Sequence, residues 1–291
     1  MDYGLALPNI GFDANIDGLR AAVSLAERHG FTDVWATDHL LVNHEAAEDY
    51  GRTYESITTL AWLAAQSKQV RLGLSVVVVP MRNAVVLAKQ LATLDALSGG
   101  RVIAGFGVGW SPDEFANIGL ADRFHERGAY TEETVALCRH LWSGTSEPFR
   151  GRFFQFSDFV FQPLPDQGAA LPIWIGARDE RALRRVGRIA DGYHASATSP
   201  ASLAPRIPII RAAAEAAGRA MPRLSARTRI ELGKSKDSFY TIHGAPEEAA
   251  AEIRAFADLG VDHLTLMFPS RDAAGLAADV ERFVTEVRPL V

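Results

Sequence analysis

The sequence predicts a closed (β/α)8 barrel, and three observations carry that expectation. Short apolar, β-branched segments alternate with amphipathic helical ones along the chain, the arrangement that gives a parallel sheet. With one aromatic hairpin set aside, eight such strands fit into 291 residues, and barrels of this kind typically take about 250. A glycine run, Gly105 to Gly109, follows the fourth strand, whereas a dinucleotide-binding fingerprint in an open sheet follows the first. No composition break or linker divides the chain, so a single α/β domain over residues 1–291 is expected.

The first strand is Asp2–Leu7, closed by Pro8-Asn9. Asn15 or Asp17 opens a helix that runs to about His29, with Gly30 past its end. Asp33–Thr37 is the second strand, and Asp38-His39 stand just beyond it. The stretch from His39 to Tyr54 is longer than a connector needs, which marks it as functional. After a helix over Glu55–Gln66, Arg71–Val79 is apolar without a break, as suits a parallel strand covered on both faces. Pro80 ends it. Asn83 caps a helix whose apolar positions Leu87, Ala88, Leu91 and Leu94 recur at helical spacing, and Gly99-Gly100 terminates it. Arg101–Phe106 is the fourth strand.

A short helix begins at Pro112, and a long one covers Phe124–Trp142. Residues 147–165 alternate aromatic and polar side chains about Gly151, which reads as an inserted β-hairpin. The pattern then resumes with strands at Pro172–Gly176, Asp191–Ala195, Leu224–Leu232 and His263–Phe268. Helices over Asp179–Ile189, Pro200–Gly218, Pro246–Leu259 and Asp272–Val287 separate and follow them.

A net charge of −5 leaves no basic footprint for nucleic acid. The single cysteine, Cys138, makes no internal disulfide and sits in a periodic helix, which fits a structural thiol in a reducing compartment. MDYGLALPNIG reads as a strand, not a signal peptide, and no apolar run spans a bilayer. A cytoplasmic protein acting on a small molecule is expected.

Barrel active sites lie at the C-terminal ends of the strands. That rule selects Asn9, Asp38, His39, Ser75, Gly107, Val108, Gly109, Trp110, Gly176, Ala177, Arg178, His194 and Glu231. Asp38-His39 reads either as a carboxylate and imidazole for acid–base work or as a helix cap beside a surface histidine. Gly176-Ala177-Arg178, ahead of a helix that Asp179 caps, reads as an anion site or as a tight turn with a solvated arginine. His39, His44, Glu45 and Asp49 are close in sequence but lack the spacing of a metal site, and no GxSxG elbow is present. No metal is expected, and His29, His140 and His263 require no functional account.

The segments LPNIG, DVWATDHLL, GGRVIAGFGVGW followed by DEF, RGRFFQF, and PIWIGARDERALRRVGRIADGYH resemble the bacterial luciferase-like monooxygenase superfamily, in particular its branch dependent on the deazaflavin coenzyme F420. The resemblance implies a (β/α)8 barrel with an insertion, a homodimer, and a coenzyme ring at the barrel mouth. It places Asp38 and His39 near the ring, with His39 moving the proton, and a non-prolyl cis peptide at Ser75-Val76 behind it. Gly107, Val108, Gly109 and Trp110 would line the ring edge, and Gly176, Ala177 and Arg178 would hold the phosphodiester, with Arg178 or Lys234 meeting the tail carboxylates. Two departures stand out: Trp110 occupies the place of a glutamate found in sugar-phosphate dehydrogenases of this branch, and Ala177 replaces a second glycine. The implied reaction is hydride transfer between F420 and an activated C=C, C=N or carbonyl/alcohol carbon. An aromatic mouth of Phe12, Trp35, Trp110, Phe115, Phe159 and Phe161 would suit an apolar substrate. The alternatives are a reduced-FMN monooxygenase served by a flavin reductase, and a non-catalytic flavin-binding relative.

Overall fold

Eight parallel strands close on themselves in a computed structural model that describes residues 1–233 and 240–291. They are β1 (Asp2–Ala6), β2 (Asp33–Ala36), β3 (Arg71–Leu74), β4 (Val102–Gly107), β5 (Ile173–Ile175), β6 (Gly192–Ser196), β7 (Arg223–Leu232) and β8 (His263–Met267). Each pairs with the next in chain order, and β8 returns to β1 with His263 opposite Asp2 and Leu266 opposite Leu5. The (β/α)8 expectation holds.

Alternation along the strands sorts the core into two parts. Leu5, Val34, Leu72, Val102, Ile173 and Leu264 belong to the main apolar core, which also takes in residues of the surrounding helices. Trp35, Ile103 and Trp174 form a separate cluster. Room for the two indoles comes from missing side chains. A Cβ on Gly73 would lie 2.3 Å from Trp35, and one on Gly192 would lie 2.5 Å from Trp174.

The helices start where the sequence supplies caps. Asn15 caps α1 (Ile16–Arg28), and α2 is Ser56–Ala64. Asn83 caps α3 (Ala84–Ser98), which ends on Gly99 in the left-handed region at φ 69°. Ser111 caps α4 (Pro112–Asn117), and α5 covers Arg123–Trp142. Asp179 caps α6 (Glu180–Ile189), and α7 (Ile207–Ala216), α8 (Pro246–Asp258) and α9 (Ala273–Arg282) follow. Cys138 is buried within α5, and burial pushes its thiol pKa up, in keeping with a structural role. Among the described residues no helix is long and apolar enough to cross a membrane.

Four details differ from the sequence reading. The apolar run at 71–79 is not one strand: β3 stops at Leu74, the Ser75-Val76 peptide is cis as the resemblance implied, and Val77–Val78 pairs onward with Phe106 and Gly107. Two β4 glycines accommodate this bulge, since a Cβ on Gly105 would meet the Leu74 carbonyl at 1.6 Å and one on Gly107 would meet Val76 at 2.4 Å. The 200–218 helix is broken into Pro200–Leu203, a turn at Ala204–Arg206, and α7, since Pro205 and Pro208 remove backbone donors. An unanticipated strand, Thr241–Gly244, lies parallel to the outer half of β7. Finally, the inserted hairpin pairs only Phe149–Arg150 with Gln155–Phe156, and Glu133 of α5 accepts the amides of Arg152, Phe153 and Phe154 in its turn.

Candidate active site

Asp38 and His39 leave the end of β2 together and do different things. Asp38 is buried and accepts three hydrogen bonds: from Ser56 Oγ (2.8 Å), the Val78 amide (2.9 Å) and the Arg82 guanidinium (2.6 Å). It fixes the segment after the bulge to β2. Asp38 is no surface cap; these bonds make it an anchor.

His39 pairs instead with Glu114 on α4, Nδ1 to Oε2 at 2.9 Å, while the Leu40 amide donates to Oε1 at 2.6 Å. Burial pushes the Glu114 carboxyl up, but the bonds from His39 and Leu40 outweigh it and hold the pKa below its ordinary value. An ionised Glu114 accepts only, so it holds the proton on His39 Nδ1 and leaves Nε2 for exchange. The His39 ring packs on Tyr50 (4.3 Å between centroids) and meets Trp110 edge-on at 6.0 Å.

Beside this pair, Gly107, Val108, Gly109 and Trp110 run off the end of β4 into α4. Gly109 has φ +77° and packs so closely on Phe115 and Val78 that a Cβ would fall within 2.8 Å of both. Trp110 is 59% exposed. Ser75 turns its hydroxyl inward to His194 Nε2 (2.8 Å), and its carbonyl accepts from Arg227 (3.2 Å). At the end of β5 the Gly176 amide donates to the Phe106 carbonyl, so it is the amides of Ala177 and Arg178 that follow on toward α6. Ala177 has no positive φ, so the glycine it replaces is not needed here. Arg178 reaches the Ser196 carbonyl at 3.3 Å.

Beside Tyr50 lies a cavity of about 140 Å³, lined by Thr37, Asp49, Tyr50, Arg178, Arg227, Arg229 and Arg271 among others. Arg227 donates to Thr37 Oγ1 (2.9 Å), yet its Nε is buried with no acceptor. Burial brings the Arg227 guanidinium pKa down to about 10, and Arg271 and Arg229 act in the same direction, so it stays charged at neutral pH. Positive charge is concentrated on one side of the mouth.

Several expected members stand elsewhere. Asn9 is structural: it bonds Thr37 and Tyr54 through its amide. Glu231 flanks Phe268, Asp279 and Arg282, beyond the point where β7 leaves the barrel for the extra strand. His194 lies inside the barrel, stacked on Trp35 at 4.5 Å. Of the expected aromatic mouth only Phe12 and Trp110 are exposed. Trp35 and Phe115 are fully buried, and Phe159 and Phe161 pack beside the inserted hairpin. Lys234 lies outside the described residues.

The sequence pattern of the luciferase-like monooxygenase family matches residues 5–237. The chain belongs to this family. It is 26% identical over 312 residues to the F420-dependent glucose-6-phosphate dehydrogenase of Kineococcus radiotolerans, covering 91% of this chain and 90% of the relative. It is 30% identical over 210 residues to the FMNH(2)-dependent dimethylsulfone monooxygenase of Pseudomonas putida, covering 71% of this chain and 56% of that one. An F420-dependent secondary alcohol dehydrogenase, solved with an F420-acetone adduct, superposes with a TM-score of 0.83 at 20% identity, covering 100% of this chain and 99% of the other. At that identity the likeness speaks for the fold alone.

Within this luciferase-like barrel, sequence reasoning missed Glu114, Arg82, Arg227, Arg229 and Arg271. A signal for Glu114 was present, since Ser111-Pro-Asp-Glu114 is a helix-opening pattern that puts a carboxylate in the first turn after the glycine run. So was one for the arginines: LSARTRIEL alternates, and placing Leu224 and Ala226 outward turns Ser225, Arg227 and Arg229 inward.

Proposed function

We propose that this protein is an F420-dependent oxidoreductase, transferring hydride between the deazaflavin coenzyme and a small organic substrate through an activated C=C, C=N or carbonyl/alcohol carbon. The observation that carries the reading is the arginine-lined cavity beside Tyr50, whose ring packs on His39 of the His39–Glu114 pair.

The residues present fit an anionic coenzyme with a flat ring. Gly107 and Gly109 bring bare backbone to the mouth beside the bulge. The amides of Ala177 and Arg178 at the start of α6 suit a phosphodiester, and the unpaired Arg227 Nε calls for an oxyanion. When bound, the coenzyme supplies hydride at ring carbon C5; the protein supplies orientation, charge and the proton. His39 Nε2 gives the proton to substrate in reduction and takes it in oxidation, with Glu114 holding the opposite nitrogen protonated. Trp110 and Phe12 cover the mouth with apolar surface, and Arg229 and Arg271 favour a substrate that carries a carboxylate or phosphate.

A second reading, a reduced-FMN monooxygenase supplied by a reductase, draws on the likeness to the dimethylsulfone monooxygenase. One experiment separates the two: anaerobic incubation with reduced F420 and a panel of small carbonyl, imine and activated alkene compounds, with and without an anionic group. Coenzyme oxidation that depends on substrate and needs no oxygen supports the proposal. Turnover only with reduced FMN and oxygen would replace it.

A further inference from the structure

The barrel axis holds a continuous chain of polar side chains that the reaction at the mouth, as described, does not use. Ser75 Oγ is 2.8 Å from His194 Nε2; His194 Nδ1 is 2.8 Å from Ser225 Oγ; Ser225 Oγ is 2.7 Å from His263 Nδ1; His263 Nε2 is 2.9 Å from Asp33 Oδ1. All five side chains are buried, and they come from four different strands and the bulge. Apolar walls isolate the chain. Trp35 stacks on His194, and Trp35 and Trp174 both pack on His263.

Donor and acceptor rules fix the direction of these bonds. Asp33 also accepts from Trp35 Nε1 and Thr32 Oγ1, so it is an ionised, acceptor-only end. His263 Nε2 therefore donates to it. With His263 neutral, its Nδ1 accepts from Ser225, Ser225 accepts from His194 Nδ1, and His194 Nε2 accepts from Ser75. Every bond points to Asp33. With one more proton, on His263, the pattern inverts: His263 donates to Ser225, Ser225 to His194 Nδ1, His194 Nε2 to Ser75, and the Ser75 hydrogen is freed from His194. A serine hydroxyl has one hydrogen, so with both imidazoles neutral Ser225 cannot donate to an Nε2–H tautomer of His194 and to His263 Nδ1 at once; the other satisfied one-proton state puts the charge on His194, which burial and the facing Arg227 disfavour.

We propose that Ser75, His194, Ser225, His263 and Asp33 form a one-proton wire from the coenzyme seat to the floor of the barrel, with the proton stored on His263 against Asp33. Uptake balances without electrons. A ligand hydroxyl or ring N–H at the mouth gives its proton to Ser75 Oγ. Ser75 passes its own hydrogen to His194 Nε2, His194 passes its Nδ1 hydrogen to Ser225, and Ser225 passes its hydrogen to His263 Nδ1. The ligand becomes anionic, His263 becomes an imidazolium, and His194 remains neutral but changes tautomer. The charged and titratable groups around the two rings suit this division. Burial above all, then His263 from below and Arg227 from the mouth side, push the His194 pKa well below its ordinary value, against a smaller opposing pull from Asp33. His263 faces Asp33, whose charge is also felt by Arg71 on β3. The wire's use in catalysis rests on the hydride-transfer reading; its existence does not.

The test uses the ligand-free protein with ¹⁵N-labelled histidine, following imidazole nitrogen shifts from about pH 8 to about pH 5, the range in which histidine titrates. The expected result is that His263 gains a proton and His194, staying neutral, switches from Nδ1–H to Nε2–H in the same transition. In Ser225→Ala the His263 transition should persist while the His194 tautomer no longer follows it. A His194 that keeps one tautomer, a His194 that takes the charge itself, or a His263 neutral throughout would each overturn the wire. So would an unchanged switch in Ser225→Ala. The wild-type titration alone decides the matter if that variant does not fold.

Discussion

Two imidazole–carboxylate pairs, His39–Glu114 and His263–Asp33, share a chemistry and differ in where the barrel puts them. Both carboxylates are buried, and both have pKa values held below their ordinary range, because hydrogen bonds from the partner imidazole and its neighbours outweigh burial. His39, though buried, is at the rim against Tyr50 and Trp110, and its Nε2 is the nitrogen proposed to meet a ligand. His263 is fully buried at the far end and is joined toward the mouth through Ser225 and His194. Reach, not acidity, separates a group that meets the ligand from one that acts through others.

Substitutions break this contrast in different currencies. His39→Gln should lower turnover by about 10²- to 10⁴-fold, the usual contribution of a general acid–base, while coenzyme affinity stays near wild type and the Gln amide still donates to Glu114, so stability falls much less than in Asp33→Asn. Comparable loss of stability would mean His39 is structural. Asp33→Asn should do the reverse. Removing one partner of a buried pair costs about 3–5 kcal/mol, read as a large fall in chemical denaturation midpoint before any effect on chemistry. Wild-type stability would contradict the axial account.

Acid should report the same difference. His194 has its pKa lowered by burial, so its unfolded form binds the proton first; stability contributed above about pH 6.5 is lost progressively as pH falls. Asp33 and Glu114, also lowered, add a second loss below about pH 4. Thermal melts against pH should show both segments, and Glu114→Gln should reduce the lower one. At the mouth that same substitution should cost about ten- to a hundredfold in turnover, the usual effect of losing a partner that fixes an imidazole's orientation. Smallest in expectation is Gly107→Ala. Its Cβ would meet Val76 at 2.4 Å, and overpacking of this kind costs about 1–3 kcal/mol, visible as a lower melting temperature and weaker coenzyme binding.

The strand and helix order was legible because period and caps are local. Asn15, Asn83 and Asp179 cap the helices the sequence assigned them, and Gly99 ends α3. The rim positions His39, Ser75 and Gly107 were found by counting strand ends. What escaped depends on contacts across the barrel: Glu114 lies 75 residues from His39, and Asp33 lies 230 from His263. His263, at a strand start, looked dispensable because only closure of β8 onto β1 and β7 brings it to Ser225. The aromatic mouth failed for a related reason. Trp35 and Phe115 answer to packing, and alternation alone does not say which face of a doubly covered strand is which.

Cofactor choice is tested most directly by titrating the purified protein with F420 and with FMN and following tryptophan fluorescence, for which Trp110 is exposed at the mouth. The account predicts saturable F420 binding at least tenfold tighter than FMN, about 1.4 kcal/mol. An FMN preference of that size, or no binding of F420, would contradict it.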